Sequence, residues 1–444
     1  MNTIKIFSIV FYLLAFVSAG NAQTLEIHQM SVGAADAAVI VVRDVARMRD
    51  SVAAFKPALV MPTNPYELLK VALQNKVNLK GTVKKVILID AAENELRSAK
   101  KVDDYLKQIG VNKTLDYTIL SHFDKDHYGG FNYLFGELGY SVKQTAYHPN
   151  NTNKKYPKVN EGWRSCYVKK DSLKGKTKIA VVNDTEIDLG VENLQYIKLT
   201  CVVADCYVLG EDPTVAAQSH CPYSNNSNDH SIGWVLQYGA FRFYTGGDLN
   251  GLKSTYMETY MVDSLKAHDF ADYTKFDNTL FPGKGHTCAI KLNHHGSEYS
   301  TDPYFLSVLL PKTVFVPCGY KHGHPTENVI LDLETPDWTI SEWGIVKQPN
   351  YIEKYYVTSL IKGREGKVGK IGTADSKGIV GGDLVLIVDD QNIDTQSKFY
   401  VYANGKTSAV FDKDKIKLGV TPVENSQYFQ CHKTVKPSYI KNHP

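Results

Sequence analysis

The sequence predicts an α/β or α+β layered fold, in which sheets are covered by helices, and three observations carry that expectation. Short apolar runs with strand-like alternation recur along the chain, an amphipathic helical segment separates two of them, and clusters of His, Asp and Gly stand directly after several of the runs.

Alternation marks strands at residues 24–30 and 37–42, then at 86–89 and 117–120. Between the last two, Leu96, Val102, Leu106 and Ile109 fall at helical spacing and Gly110 ends the helix. Further strands are expected at 232–237, 241–244, 289–292 and 313–317. Beyond residue 346 the pattern is sparser. Strands are expected at 382–388, 399–403 and 407–411, the last two joined by a hairpin turn at Asn404-Gly405, and the Lys- and Gly-rich stretch 362–377 reads as an exposed loop. The organisation expected is a leader over 1–22, a main domain over 23–345 and a β-rich extension over 346–444 whose strands return to the main sheets or form an appended unit.

The leader follows from Lys5, the apolar run 6–19 and the small residues around Gly20-Asn21-Ala22, a pattern that predicts a secretory signal peptide and a mature chain starting near Gln23. The run is shorter than the ~20 residues of a membrane-spanning helix. The protein is therefore expected to be exported, periplasmic or extracellular, with no membrane span once the leader is removed. A net charge of +3 over 444 residues selects no class of partner. Seven cysteines in an exported chain permit disulfides, with Cys201 and Cys206 or Cys221 as candidates, and the odd count leaves one free thiol or an intermolecular bond.

The chemistry concentrates in Ser121-His122-Phe123-Asp124-Lys125-Asp126-His127-Tyr128-Gly129-Gly130. In an extended-to-turn segment alternate residues point the same way, so His122 and Asp124 can converge on one ion while Asp126 and His127 turn towards a second. Two neighbouring ions suit a hydrolase, because they make a nucleophile at neutral pH and clamp both attacking and leaving oxygens. Three more clusters end predicted strands: Thr245-Gly246-Gly247-Asp248, Asn293-His294-His295-Gly296-Ser297 and Gly319-Tyr320-Lys321-His322-Gly323-His324-Pro325. Each alone is compatible with an ordinary turn, but side chains at successive strand ends can converge on one rim of a sheet.

In this order the motifs resemble the metallo-β-lactamase fold, in the branch related to the ComEC/Rec2 competence proteins. Val32-Gly33-Ala34-Ala35-Asp36-Ala37, Ile89-Asp90 and Asn228-Asp229-His230-Ser231 match further signatures of that branch, over residues 25–330 or so. The resemblance implies a four-layer αββα sandwich with a two-metal site along its upper edge. The chain departs from the family at Ser31, Ala34 and Ala35, where Asp, Gln and Gly are usual, and at Ala91, where Gly is usual.

Carried over by position, the resemblance implies that His122 and Asp124 hold one ion, Asp126 and His127 the other, and that Asp248 bridges. His295 is favoured over His294 as the further ligand, and Asn228, Asp229 and His230 are the alternatives for one more, with Asn228 put forward. Asp90 would orient a ligand histidine rather than touch metal. Asp126, His294 and His324 are the catalytic candidates, His324 as an acid for the leaving group or a substrate clamp. Asp124, standing where many relatives have histidine, makes its site richer in oxygen and shifts preference towards manganese, so the expected cofactors are two divalent ions, zinc or manganese.

The reaction expected first is phosphodiester hydrolysis by a hydroxide held between the ions, by a secreted phosphodiesterase or nuclease-like enzyme acting on a phosphodiester or other small anionic substrate, nucleic acid included. Lys154, Lys155, Lys158, Arg164, Lys169, Lys170, Lys174, Lys176 and Lys178 could track a phosphate backbone or form a solvated basic loop, accompanied only by Tyr156, Trp163 and Tyr167 as stacking aromatics. The alternatives are a lactam, lactone or ester hydrolase with the same metals, and a metal-stabilised binding protein without turnover. The sequence leaves the oligomeric state open.

Overall fold

The computed structural model describes residues 23–150, 157–190, 197–268, 286–340, 346–361, 371, 376–389, 398–404, 409–411, 417–419 and 426–430, apart from the single positions 223, 240, 252, 320 and 321. The expected leader, Lys154, Lys155, Tyr156, Cys431 and most of the 362–377 loop lie outside these residues.

In chain order the strands are β1 (Gln23–Gln29), β2 (Ala38–Asp44), β3 (Val83–Ile89), β4 (Thr114–Ile119), β5 (Ser141–His148), β6 (Thr177–Ile179), β7 (Glu186–Asp188), β8 (Ile197–Ala204), β9 (Tyr207–Val208), β10 (Gly233–Tyr238), β11 (Phe241–Thr245), β12 (Ala289–Lys291) and β13 (Thr313–Val316). They continue with β14 (Asp337–Ile340), β15 (Val346–Pro349), β16 (Lys354–Val357), β17 (Ser359–Ile361), β18 (Gly378–Val380), β19 (Asp383–Asp389), β20 (Lys398–Asn404), β21 (Ala409–Phe411), β22 (Lys417–Gly419) and β23 (Ser426–Gln430). One nine-stranded sheet runs β23-β20-β19-β1-β2-β3-β4-β5-β6. The other runs β18-β16-β13-β12-β11-β10-β8-β7, with β9 paired to β8.

Side-chain alternation divides each strand between two cores. Leu25, Ile27, Ile40, Ile87 and Ile119 of the first sheet meet Leu199, Trp234, Leu236, Phe243 and Phe315 of the second in one buried cluster. The opposite face of the first sheet, with Val39, Val41, Val86 and Leu88, is covered by Val102 and Leu106 of the helix Leu96–Gln108 and by Leu69 and Leu73 of the helix Pro65–Gln74. On the far side of the second sheet, Val235, Tyr244, Ile290 and Val314 pack against Met261 and Leu265 of the helix Met257–Ala267 and Phe305 and Leu309 of the helix Pro303–Leu309. The layers are thus helix, sheet, sheet, helix. Because the central strands are covered on both faces, β1 is buried at all seven positions even though it carries Thr24, Glu26 and His28. Those three side chains form a hydrogen-bonded set in which His28 also reaches Tyr105.

Strands β3 to β6 pair in parallel, as do β11, β12, β13, β16 and β18. In the parallel runs the strand ends point to one edge, and β3, β4, β11, β12 and β13 are the strands that the His/Asp clusters follow.

The hairpin expected at Asn404-Gly405 does not form. β20 pairs with β19 and β23, whereas β21 pairs with β17 and β22 in a separate small sheet. Strands from beyond residue 346 extend both large sheets, with β19 beside β1 and β16 beside β13. Cys206 is bonded to Cys221 with their Cα atoms 5.4 Å apart, Cys201 on β8 and Cys166 are buried thiols outside any disulfide, and Cys318 is buried as well. Among the described residues no helix is long and apolar enough to cross a membrane.

Candidate metal centre

β4 lies between β3 and β5 and ends where Leu120 N bonds the Tyr147 carbonyl, so the next residues leave the sheet at its edge. Ser121 N and Oγ donate to Asp90 at 2.8 and 2.6 Å. His122 follows, fully buried. Asp124 stands at the start of the short helix Lys125–Tyr128, yet its side chain caps nothing there and instead accepts from Ser227 Oγ. The Gly129-Gly130 pair is needed for close approach: a Cβ on Gly130 would lie 1.7 Å from the Ala91 carbonyl oxygen, and one on Gly129 2.1 Å from Asn94 N. Any larger residue would push this motif away from the loop after β3, which carries Asp90.

His127 is fixed by the bond of its Nδ1 to Asp90 Oδ2 at 2.7 Å, which aims Nε2 at the site. His295 is fixed likewise by Nδ1 bonding the Pro317 carbonyl at 2.8 Å. Both His294 and His295 hold the left-handed conformation, with φ of 48° and 55°. The turn is tied down by His294 N to Gly247 O, Ser297 N to His294 O and Asn293 Nδ2 to Glu258 Oε1. Backbone held in that region by many contacts is a frequent mark of functional turns.

The fixed groups converge. His122 Nε2 lies 3.8 Å from Asp248 Oδ2 and 3.7 Å from Asp124 Oδ2. His127 Nε2 lies 3.3 Å from Asp248 Oδ1, and His295 Nε2 lies 3.4 Å from Asp248 Oδ2 and 3.6 Å from Asp126 Oδ2. Two compact ligand sets result, His122 with His127 and Asp248, and Asp126 with His127 and His295. His127 belongs to both, so spacing in the sequence and proximity in space divide the motif differently: His122 groups with His127 across a turn.

His294 is set back, 4.0 Å from Asp248, with Asn228 Nδ2 at 3.4 Å from its ring. Of the three neighbours 228–230, Asp229 accepts from Asn250 and Thr255 and His230 pairs with Asp205, so both are engaged elsewhere. Asn228 alone turns its amide to the site. Among the described residues His324 bonds no carboxylate; its Nδ1 bonds the His294 carbonyl at 3.2 Å.

Three buried polar atoms in this cluster have no hydrogen-bond partner: His122 Nε2, Asp248 Oδ1 and Asn228 Oδ1. A buried polar atom without a partner costs about 1–3 kcal/mol, and the Asp248 oxygen with the His122 and Asn228 atoms beside it forms a donor set suited to a divalent cation. Electrostatics agree. Burial alone would raise the Asp248 pKa, but the surrounding His127, His295 and His122 hold it well below the carboxylate range. Burial likewise opposes charging of His295, and Asp248 and Asp126 override it, raising the pKa to about 10. His324 is lowered to about 4, by burial first and then by His295 and His294.

A cavity of ≈ 470 Å³ opens above the cluster, lined by Asp124, Asp126, Asp248, His294, His295 and His324 together with Ala34, Glu93, Asn94, Glu95, Lys125, Gly319 and His322. Among the described basic residues from Arg164 to Lys178, none lines it. Trp163 and Tyr167 are buried core residues, Trp163 packing against Phe123 with ring centroids 4.6 Å apart, so neither offers a stacking face. Sequence reasoning missed Lys291 and Ser227, and named Asp36 within its motif without giving it a role. Lys291 had a signal, since a lone cation inside the apolar run Ala289–Leu292 is out of place in a buried strand unless paired.

No protein-family model and no curated protein matches the chain. Among solved structures it is similar to the metallo-β-lactamase fold protein YhfI from Bacillus subtilis, at 9% identity and TM-score 0.30, over 65% of this chain and 85% of that one. It is also similar to the short form of human tRNase Z, at 11% identity and TM-score 0.29, over 65% and 91% of the two chains. A third similarity is to zinc-bound PqqB from Methylobacterium extorquens, at 11% identity and TM-score 0.26, over 60% and 72%. These scores carry no functional weight. By its own layer order, helix-sheet-sheet-helix, and by the His/Asp cluster at the strand ends, the chain has the metallo-β-lactamase fold.

Proposed function

We propose that this protein is an exported, two-metal hydrolase of the ComEC/Rec2-related branch that acts on small phosphodiesters. The observation that carries the metal is the set of orphaned ligand atoms on His122, Asp248 and Asn228, flanked by the second set on Asp126, His127 and His295. Divalent ions bound there by these residues would supply Lewis acidity and an activated water at neutral pH. The chain's own groups do the rest. Asp90 and the Pro317 carbonyl lock the ligand tautomers of His127 and His295, and His324, on the cavity wall and uncharged at neutral pH with its pKa lowered to about 4, would act as a substrate clamp rather than as an acid for the leaving group.

Small substrates are favoured over polymers because the described basic residues from Arg164 to Lys178 stay off the cavity wall. Export is supported by the Cys206–Cys221 disulfide, since such bonds persist in oxidising compartments, and by the apolar leader. A second reading, hydrolysis of a lactam, lactone or other uncharged ester, draws support from the cavity lining, where among the described residues Glu93 and Glu95 stand with one lysine, Lys125.

The test is elemental analysis of the mature protein together with turnover of a bis-aryl phosphodiester and a chromogenic lactam, before and after chelation and add-back of manganese or zinc. Near two ions per chain and metal-restored phosphodiester turnover are expected. Turnover of the lactam alone selects the second reading, and metal without either activity turns the protein into a binding module.

A further inference from the structure

Lys291, on β12, is 2% exposed, and its ammonium sits between the Asp36 carboxylate and the Gly247 carbonyl, 2.9 Å from the latter. Asp36 belongs to the loop joining β1 and β2 in the first sheet; Gly247 and Asp248 follow β11 in the second. The lysine therefore ties the two sheets together at the floor of the site. Asp36 is itself held, by Gln29 Nε2 on Oδ1 at 2.9 Å, by its N–H on the Asp126 carbonyl at 3.2 Å and by Ala92 N–H on its own carbonyl at 2.8 Å. The Gly247 carbonyl also receives His294 N–H at 3.1 Å. One ammonium thus joins the peptides that carry Asp126, Asp248 and His294.

A buried ion pair is costly to form and contributes little net stability compared with an apolar pair of the same size, so its presence under a cluster of carboxylates asks for another role. Asp36, Asp90 and His127 also place three ligand atoms close together, and the ammonium takes the Asp36 carboxylate out of that set.

We propose that Lys291 is a positioning residue of the metal centre: clamped to Asp36 on one sheet, it holds the Gly247 carbonyl on the other and so sets Asp248 against His122 and His127. The inference rests on the reading of the cluster as a metal site.

The test is titration of chelator-stripped protein with manganese and zinc, with the visible spectrum of the cobalt(II)-loaded form and the melting temperature of the metal-free form. It compares wild type, Lys291→Met and Asp36→Asn/Lys291→Met. The single variant leaves Asp36 buried and unpaired and is expected to melt lower. The double variant removes both charges and is expected to melt near wild type, yet to bind metal about tenfold more weakly and to show a changed cobalt spectrum. A double variant with wild-type affinity, stoichiometry and spectrum overturns the role of Lys291 while leaving the metal site intact. Wild type that takes up no metal overturns both. Should the double variant not fold, Asp36→Asn alone decides: it leaves the Lys291 ammonium buried without its carboxylate, so a lower melting temperature, weakened uptake and a changed cobalt spectrum are expected, and wild-type uptake and spectrum count against the proposal.

Discussion

His127 and His295 face each other through their Nε2 atoms at 3.3 Å, and the Asp248 carboxylate stands beside both, 3.3 Å from the first and 3.4 Å from the second. Without metal, protons must fill this space. Burial pushes His295 down, but Asp248 and Asp126 raise it to about 10, so it is protonated at neutral pH and a metal ion has to displace that proton. A histidine raised above its unfolded value of 6.5 contributes stability below that pH and loses it as pH climbs through the folded value of about 10. Metal affinity should therefore rise with pH across that window, and the metal-free protein should weaken over the same range. The gain in melting temperature on adding saturating zinc, measured at several pH values between those limits, should grow with pH. A constant gain would mean that these imidazoles do not ligate.

Asp90 acts through His127. Its Oδ2 fixes the Nδ1 of that ring and its Oδ1 accepts from Ser121 N, so Asp90→Asn keeps the Ser121 contact and loses the charge that orients the ligand. Metal affinity should fall roughly 10- to 100-fold with little change in the melting temperature of the metal-free protein. Chelator competition reads this directly, and equal affinities for variant and wild type would place His127 outside the metal centre.

Much of the layered fold was legible because its strands carry the alternation that two-sided burial demands: Leu25 and Ile27 face one core while Val39 and Val41 face the other. The short edge strands β6, β7 and β9, of two or three residues, were not legible, since so few positions set no period. In the site, the local motif at 122–127 placed its residues near one another, but which atoms share an ion depends on a turn. Asp90 holds His127 over towards His122, a relationship 37 residues long that spacing does not encode. The choice among Asn228, Asp229 and His230 was equally closed to the sequence. It is made by Asn250, Thr255 and Asp205, which engage the other two.

The Cys206–Cys221 bond closes a loop with a sequence separation of 15, and Cys206 Sγ lies 3.5 Å from the Asp229 carbonyl, next to Asn228. Loop-closure entropy assigns such a link about 3 kcal/mol. Cys206→Ser/Cys221→Ser should lower stability by roughly that amount in denaturant titration. It should also weaken metal uptake, because the segment bearing Asn228 and Ser227 loses its anchor. Retained uptake at reduced stability would separate Asn228 from the metal centre.

Glu26, at 0% exposure on β1, receives a bidentate contact from Arg43 at 2.7 and 2.8 Å and a bond from His28. Burial raises its pKa, but Arg43 and His28 outweigh burial and hold it at about 2, against 4.5 for the free group. A carboxyl depressed in this way contributes stability above 4.5 and loses it as pH falls towards about 2. His28, kept below 6.5 by burial foremost, acts in the same direction, since the unfolded chain takes up its proton first. Stability should therefore begin to fall below 6.5 and drop more steeply below 4.5, by roughly 3 kcal/mol from Glu26 alone. Glu26→Gln/Arg43→Met removes both charges and should flatten the steeper part of the acid limb in urea titrations run from neutral to acid pH. An acid limb identical to wild type would move the origin of acid sensitivity from this buried pair to the carboxylates of the metal centre.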